Sequence, residues 1–177
     1  RRAAVSLLKA FGPLQRRVAP IDVRDQEIRR ILLIRLDLLG DLVLTMPAAA
    51  YLRDRYPNAE LHFLTLPYTA PLLTHYPWVD RVLAFDVNRL RPSGEWRDRR
   101  AWEEAVALIQ AIRAAEYDVV IGFCGAWASA IALLSGAPAT VGYAGEGLRN
   151  AYSIALPGER YDRPGHEVEW CLRAATS

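Results

Sequence analysis

Short apolar runs alternate with stretches of three- and four-residue apolar spacing along most of the chain. Ile31-Leu32-Leu33-Ile34, an unbroken apolar run after Arg29-Arg30, predicts a strand buried on both faces, as in a parallel sheet. Beyond Gly40-Asp41, the residues Leu42, Leu44, Thr45, Ala48, Ala49 and Leu52 keep helical spacing until Pro57-Asn58 stops it. Further strands are predicted over Leu61–Leu66, Arg81–Asp86, Asp118–Phe123, Thr140–Tyr143 and Tyr152–Leu156. Between them the pattern predicts a short helix from Thr69 to Tyr76 and an amphipathic helix from Ala101 to Glu116. A helix holding Ser129–Leu134 ends at Ser135-Gly136, and a last one covers His166–Ala175. Strand-helix alternation of this kind specifies right-handed crossovers, hence an α/β, Rossmann-like parallel sheet with helices on both faces.

That order places Asp37 and Asp41 where the first strand hands over to a helix. In open α/β sheets ligands bind beyond the carboxyl ends of the strands. Asp41 has two readings. It is a helix N-cap, with Gly40 as its turn residue. Or the regular helix starts at Pro47, with Pro at its first position, and Gly40–Met46 is an entry loop whose Asp41 faces a ligand. In the first reading Pro47 falls inside the helix and bends it.

Arg1–Pro20 stands apart. Ala3, Ala4, Leu7, Leu8, Phe11, Leu14 and Val18 share a helical face, interrupted by Gly12-Pro13, with Arg1, Arg2, Lys9, Arg16 and Arg17 as cations. This segment is either a helix packed on the domain or an interfacial helix lying on anionic lipid. Residues 1–28 are therefore taken as an N-terminal helical extension with a polar connector, and 29–177 as the α/β domain. The chain begins at Arg1 and its one methionine is Met46, so a piece of a longer protein is expected.

A net charge of +2 in 177 residues is too small to imply nucleic acid. Two cysteines, Cys124 and Cys171, form neither a disulfide framework nor a zinc pattern, which sets a reducing, cytoplasmic compartment as the default. The G-x-G-x-x-G and G-x-x-x-x-G-K-[ST] phosphate loops are absent, as are a Ser-His-Asp order, H-E-x-x-H and a D-x-D pair. No cofactor and no metal is called for.

Two other stretches could carry chemistry. Arg89, Arg91, Arg97, Arg99 and Arg100 with Glu95 and Asp98 give an excess of three positive charges in the segment after the third strand. Arginine forks match phosphate and carboxylate oxygens. Cations gathered at a helix start oppose its dipole, and an anionic ligand would compensate them. A solvated loop is the plainer reading. After the fourth strand, Gly125 either lets a ligand approach the backbone at a helix start or makes a tight turn. Cys124 reads as a small buried residue, His62 and His75 as structural, and His166 as a helix-start or surface histidine.

The segment R-x-D-x-x-G-D-x-x-x-x-x-P, here Arg35 to Pro47, with Tyr56-Pro57-Asn58-Ala59 after it, resembles the opening of family 9 glycosyltransferases, the heptosyltransferases of lipopolysaccharide synthesis. Later marks agree in order: Val79-Asp80-Arg81-Val82, Tyr117-Asp118-Val119-Val120-Ile121, Gly125 and Ser129, Val141-Gly142-Tyr143, and His166-Glu167-Val168. Where the family often has an acidic or amide residue and then a basic one, Gly122 and Ala128 stand here. The resemblance implies the N-terminal, acceptor-binding half of a GT-B fold, with the C-terminal donor domain absent from this chain and the isolated piece inactive. It implies inverting, metal-independent transfer from an ADP-heptose-like nucleotide-sugar to an anionic lipid-linked sugar. Asp41 would be the general base. Asp37, Gly40, Arg89, Arg91, Arg97, Arg100, Gly125 and Ser129 would face the acceptor. The enzyme would work in the cytoplasm, with the N-terminal helix holding it peripherally at the inner face of the membrane. The contrasting reading is a non-catalytic module that binds an anionic glycolipid or a nucleotide.

Overall fold

The computed structural model describes residues 27–90, 99–148, 150–158 and 165–177. The Arg1–Pro20 segment expected to be helical, Arg91 and Arg97 lie outside them. The strands are β1 (Arg30–Ile34), β2 (Glu60–Thr65), β3 (Arg81–Ala84), β4 (Val119–Gly122), β5 (Ala139–Tyr143) and β6 (Ile154–Leu156). The helices are α1 (Leu39–Arg55), α2 (Ala70–Leu73), α3 (Arg99–Ala114), α4 (Gly125–Ser135) and α5 (Glu167–Thr176). A 3-10 turn, Val87–Leu90, follows β3.

All six strands pair in parallel, in the order β3-β2-β1-β4-β5-β6. The expected doubly wound sheet is present. Side chains of a strand point alternately to its two faces, and a sheet covered on both sides needs both sets apolar. Ile31 and Leu33 enter one core with Leu61, Phe63, Ile121 and Val141. Leu32 and Ile34 enter the other with Leu64 and Val120. Helices α1 and α5 cover the first face, lying side by side. Helices α3 and α4 cover the second.

Pro47 lies inside α1, so the helix does not begin there and Gly40–Met46 is not an entry loop. Pro47 and Val43, whose carbonyl loses its helical donor, are both exposed, where water can serve that carbonyl. Nor is Asp41 the N-cap: that place falls to Leu38, whose side chain makes no cap bond. Asp41 instead stands in the first turn, where a carboxylate meets the positive end of the helix. Helix α4 holds Ser129–Leu134 as its pattern predicts and ends at Gly136, whose φ of 79° suits glycine.

Candidate active site at the carboxyl edge of the sheet

Neighbouring strands β1 and β4 send their helices to opposite faces. That reversal opens a crevice beyond their carboxyl ends, the usual ligand position in such sheets. Arg35, the first residue after β1, sits at this point with its side chain only 1% exposed. A guanidinium buried so deeply must be paired. Its Nε donates to Asp37 Oδ1 at 2.8 Å, and Nη1 donates to Glu167 Oε1 at 2.9 Å. Nη1 also reaches Cys171 Sγ at 3.8 Å. Nη2 stands 3.3 Å from Asp41 Oδ1. Burial disfavours the charge on Arg35, but Asp37, Cys171 and Glu167 outweigh it and hold the guanidinium above its ordinary range.

Three carboxylates thus converge on one cation, from the β1–α1 turn, the first turn of α1 and the first turn of α5. Each keeps an opening to solvent: Asp37 is 19%, Asp41 12% and Glu167 18% exposed. Asp41 therefore leans inward on Arg35 without being sealed. Around it the rim is apolar, with Leu38, Leu39 and Val43 exposed, and Tyr68 donates its hydroxyl to the Asp37 carbonyl at 3.0 Å. Gly40 lies exposed on the same turn with open space where a Cβ would go. Among the described residues, no three His, Cys, Asp or Glu side chains are set to hold a metal ion.

The other predicted residues fare differently. Arg89 and Arg100 both pair with Glu104, and Arg99 pairs with Glu103 at 2.8 Å. Carboxylates of α3 thus offset Arg89, Arg99 and Arg100. Ser129 is fully buried; its hydroxyl donates to the Ala126 carbonyl at 2.9 Å and accepts from Leu148 N at 3.0 Å. Both partners are internal, so this hydroxyl fastens a loop to α4. Gly125, at φ 84°, makes the turn into α4 and has open space beside it. Cys124 is half-buried, and its thiol donates to Glu146 at 3.5 Å. Tyr152 fills the space over β4 and β5, its ring lying where Gly122 or Gly142 would carry a Cβ. A shallow apolar pocket lined by Phe85, Leu90, Leu108, Trp127 and Ile131 opens on the other face of the sheet from α1.

No family model matches the chain. It is 27% identical over 96 residues to lipopolysaccharide heptosyltransferase 3 of Escherichia coli, over 52% of this chain and 25% of that protein. Among solved structures, E. coli heptosyltransferase WaaC with ADP superposes at a TM-score of 0.69, with 22% identity, over 83% of this chain and 46% of that one. A family 9 glycosyl transferase from Veillonella parvula gives a TM-score of 0.63 at 20% identity, over 84% and 41%. The fold is that of the heptosyltransferase-like glycosyltransferases of family 9. This chain spans under half the length of these solved family 9 relatives.

In this family 9 fold, two residues of the crevice escape sequence reasoning as site members: Arg35 and Glu167. A signal for Arg35 exists. It is a cation appended to a wholly buried apolar run, with acids two and six residues further on, which calls for a buried ion pair. Glu167 falls in the His166-Glu167-Val168 mark, but nothing in the sequence ties it to Arg35, 132 residues away.

Proposed function

We propose that this chain is the acceptor-binding half of an inverting, metal-independent glycosyltransferase of the heptosyltransferase type, with Asp41 as general base. The carrying observation is a carboxylate at the topological switch point of a family 9 fold, 3.3 Å from a buried arginine and still reached by solvent. Asp41 takes the proton of an acceptor hydroxyl as its oxygen bonds to the anomeric carbon from the face opposite the leaving group. The bond from that carbon to the diphosphate oxygen breaks, and its electron pair leaves on the nucleoside diphosphate. The transition state has oxocarbenium character. That the sequence lacks a D-x-D pair, a common holder of a metal on a nucleotide-sugar, supports the metal-independent form. Asp37, Gly40 and Gly125 border the acceptor hydroxyl, and an ADP-heptose-like donor is held mainly by a second domain in a GT-B arrangement. Closure of that domain excludes water, which would otherwise hydrolyse the donor. The acceptor is an anionic lipid-linked sugar at the inner face of the cytoplasmic membrane. Among the described residues no helix is long and apolar enough to cross it.

The test is sugar transfer by the full-length protein with Asp41→Asn. Turnover is expected to fall by about 10²- to 10⁴-fold in a variant of unchanged melting temperature. Near-wild-type turnover would remove Asp41 as the base.

A further inference from the structure

The Arg35 guanidinium is planar, so its donors point in fixed directions relative to one another. Asp37 fixes Nε and Glu167 fixes Nη1, at 2.8 and 2.9 Å. With those two anchored, the direction of Nη2 is set. Nη2 is buried and has no hydrogen-bond partner among the described residues, yet lies 3.3 Å from Asp41 Oδ1. A buried donor left unmet favours whichever orientation of a neighbouring carboxylate comes nearest to meeting it. Helix α5 touches the same turn a second time. Thr45 Oγ donates to the Asp41 carbonyl at 2.8 Å and faces Cys171 Sγ at 3.6 Å. The side chain and the backbone of Asp41 are thus both connected to one helix, far along the chain.

We propose that Arg35 and Glu167 are positioning residues for Asp41: Glu167 orients the Arg35 guanidinium, and Nη2 then selects the rotamer in which the Asp41 carboxylate meets the acceptor hydroxyl. This rests on the reading of Asp41 as the base. Neither residue touches the reacting atoms. Their effect is on geometry, so it falls on kcat and spares donor KM.

The test uses the full-length protein and a double-mutant cycle. Glu167→Gln is expected to lower kcat about 10- to 100-fold with donor KM unchanged, and Glu167→Asp, which keeps the charge, to recover part of the loss. In an Asp41→Asn background Glu167→Gln is expected to change nothing further, since no base is left to orient. Arg35→Lys, which keeps charge but lacks the fork, carries the same cycle if Glu167→Gln does not fold. Wild-type kcat in Glu167→Gln, or an equal loss in both backgrounds, overturns the positioning role. Asp41→Asn with wild-type turnover removes the base reading, and the positioning role with it.

Discussion

The two ends of β1 each carry an arginine, and the two behave differently. At the amino end, Arg30 is 42% exposed; it donates to Glu60 at 2.9 Å and to the Ala115 carbonyl at 2.9 Å. Around it, Asp118 accepts from the backbone nitrogens of Arg29 and Arg30, and His62 Nδ1 meets the Tyr117 hydroxyl at 2.7 Å. Each group there has a partner, and the charges are wet. At the carboxyl end Arg35 is dry, faces three carboxylates and leaves one donor unmet. The amino end is a fastening for loops. The carboxyl end concentrates charge where folding alone would favour apolar packing, since a buried ion pair rarely adds stability over a well-packed apolar substitute. That asymmetry argues that the carboxyl end is kept for chemistry.

Three substitutions sharpen the contrast. Arg35→Met leaves three partly buried carboxylates without their cation and should cost about 3–5 kcal/mol, read as a lowered urea midpoint. A loss under about 1 kcal/mol would mean that the two ends are alike. The next effect is a pH dependence at the amino end. Burial, with Arg81 and Arg30, pushes the His62 imidazole below its ordinary value, while Glu60 and Asp80 oppose this. The unfolded chain therefore binds the proton more readily. Stability is complete above the unfolded value of about 6.5 and declines as pH falls through it toward the folded value. His62→Gln should flatten that acid decline in urea melts between about pH 7 and 5. Smallest is Arg30→Met, about 0–1 kcal/mol, the range of solvated ion pairs. A larger loss there would dissolve the distinction from the other side.

The sheet was legible because fully apolar runs such as Ile31–Ile34 and Val119–Ile121 have few alternatives to a parallel strand covered on both faces. The handover turn was legible because Asp37, Gly40 and Asp41 are close in sequence. What stayed hidden depends on contacts between distant segments. Helix α5 packs against α1, which lies far earlier in the chain, so nothing close in sequence to Arg35 marks Glu167 as its partner. Gly122 and Gly142 leave space above β4 and β5 that the Tyr152 ring, later in the chain, takes up. Ser129 is a hydroxyl in the second turn of α4, and whether it faces outward depends on a loop, Gly147-Leu148, that arrives later and covers it. For the arginine segment the partners are local: Glu103 and Glu104 lie one turn into the helix that Arg99 and Arg100 begin.

The clasp between Arg35 and Glu167 also sets an order of events during synthesis. Arg35 leaves the ribosome 132 residues ahead of its partner, an interval of roughly ten seconds at ordinary elongation rates. Throughout that wait the nascent sheet holds a guanidinium with its closing anion still unmade. The first crossover of the chain is thus among the last parts of it to lock.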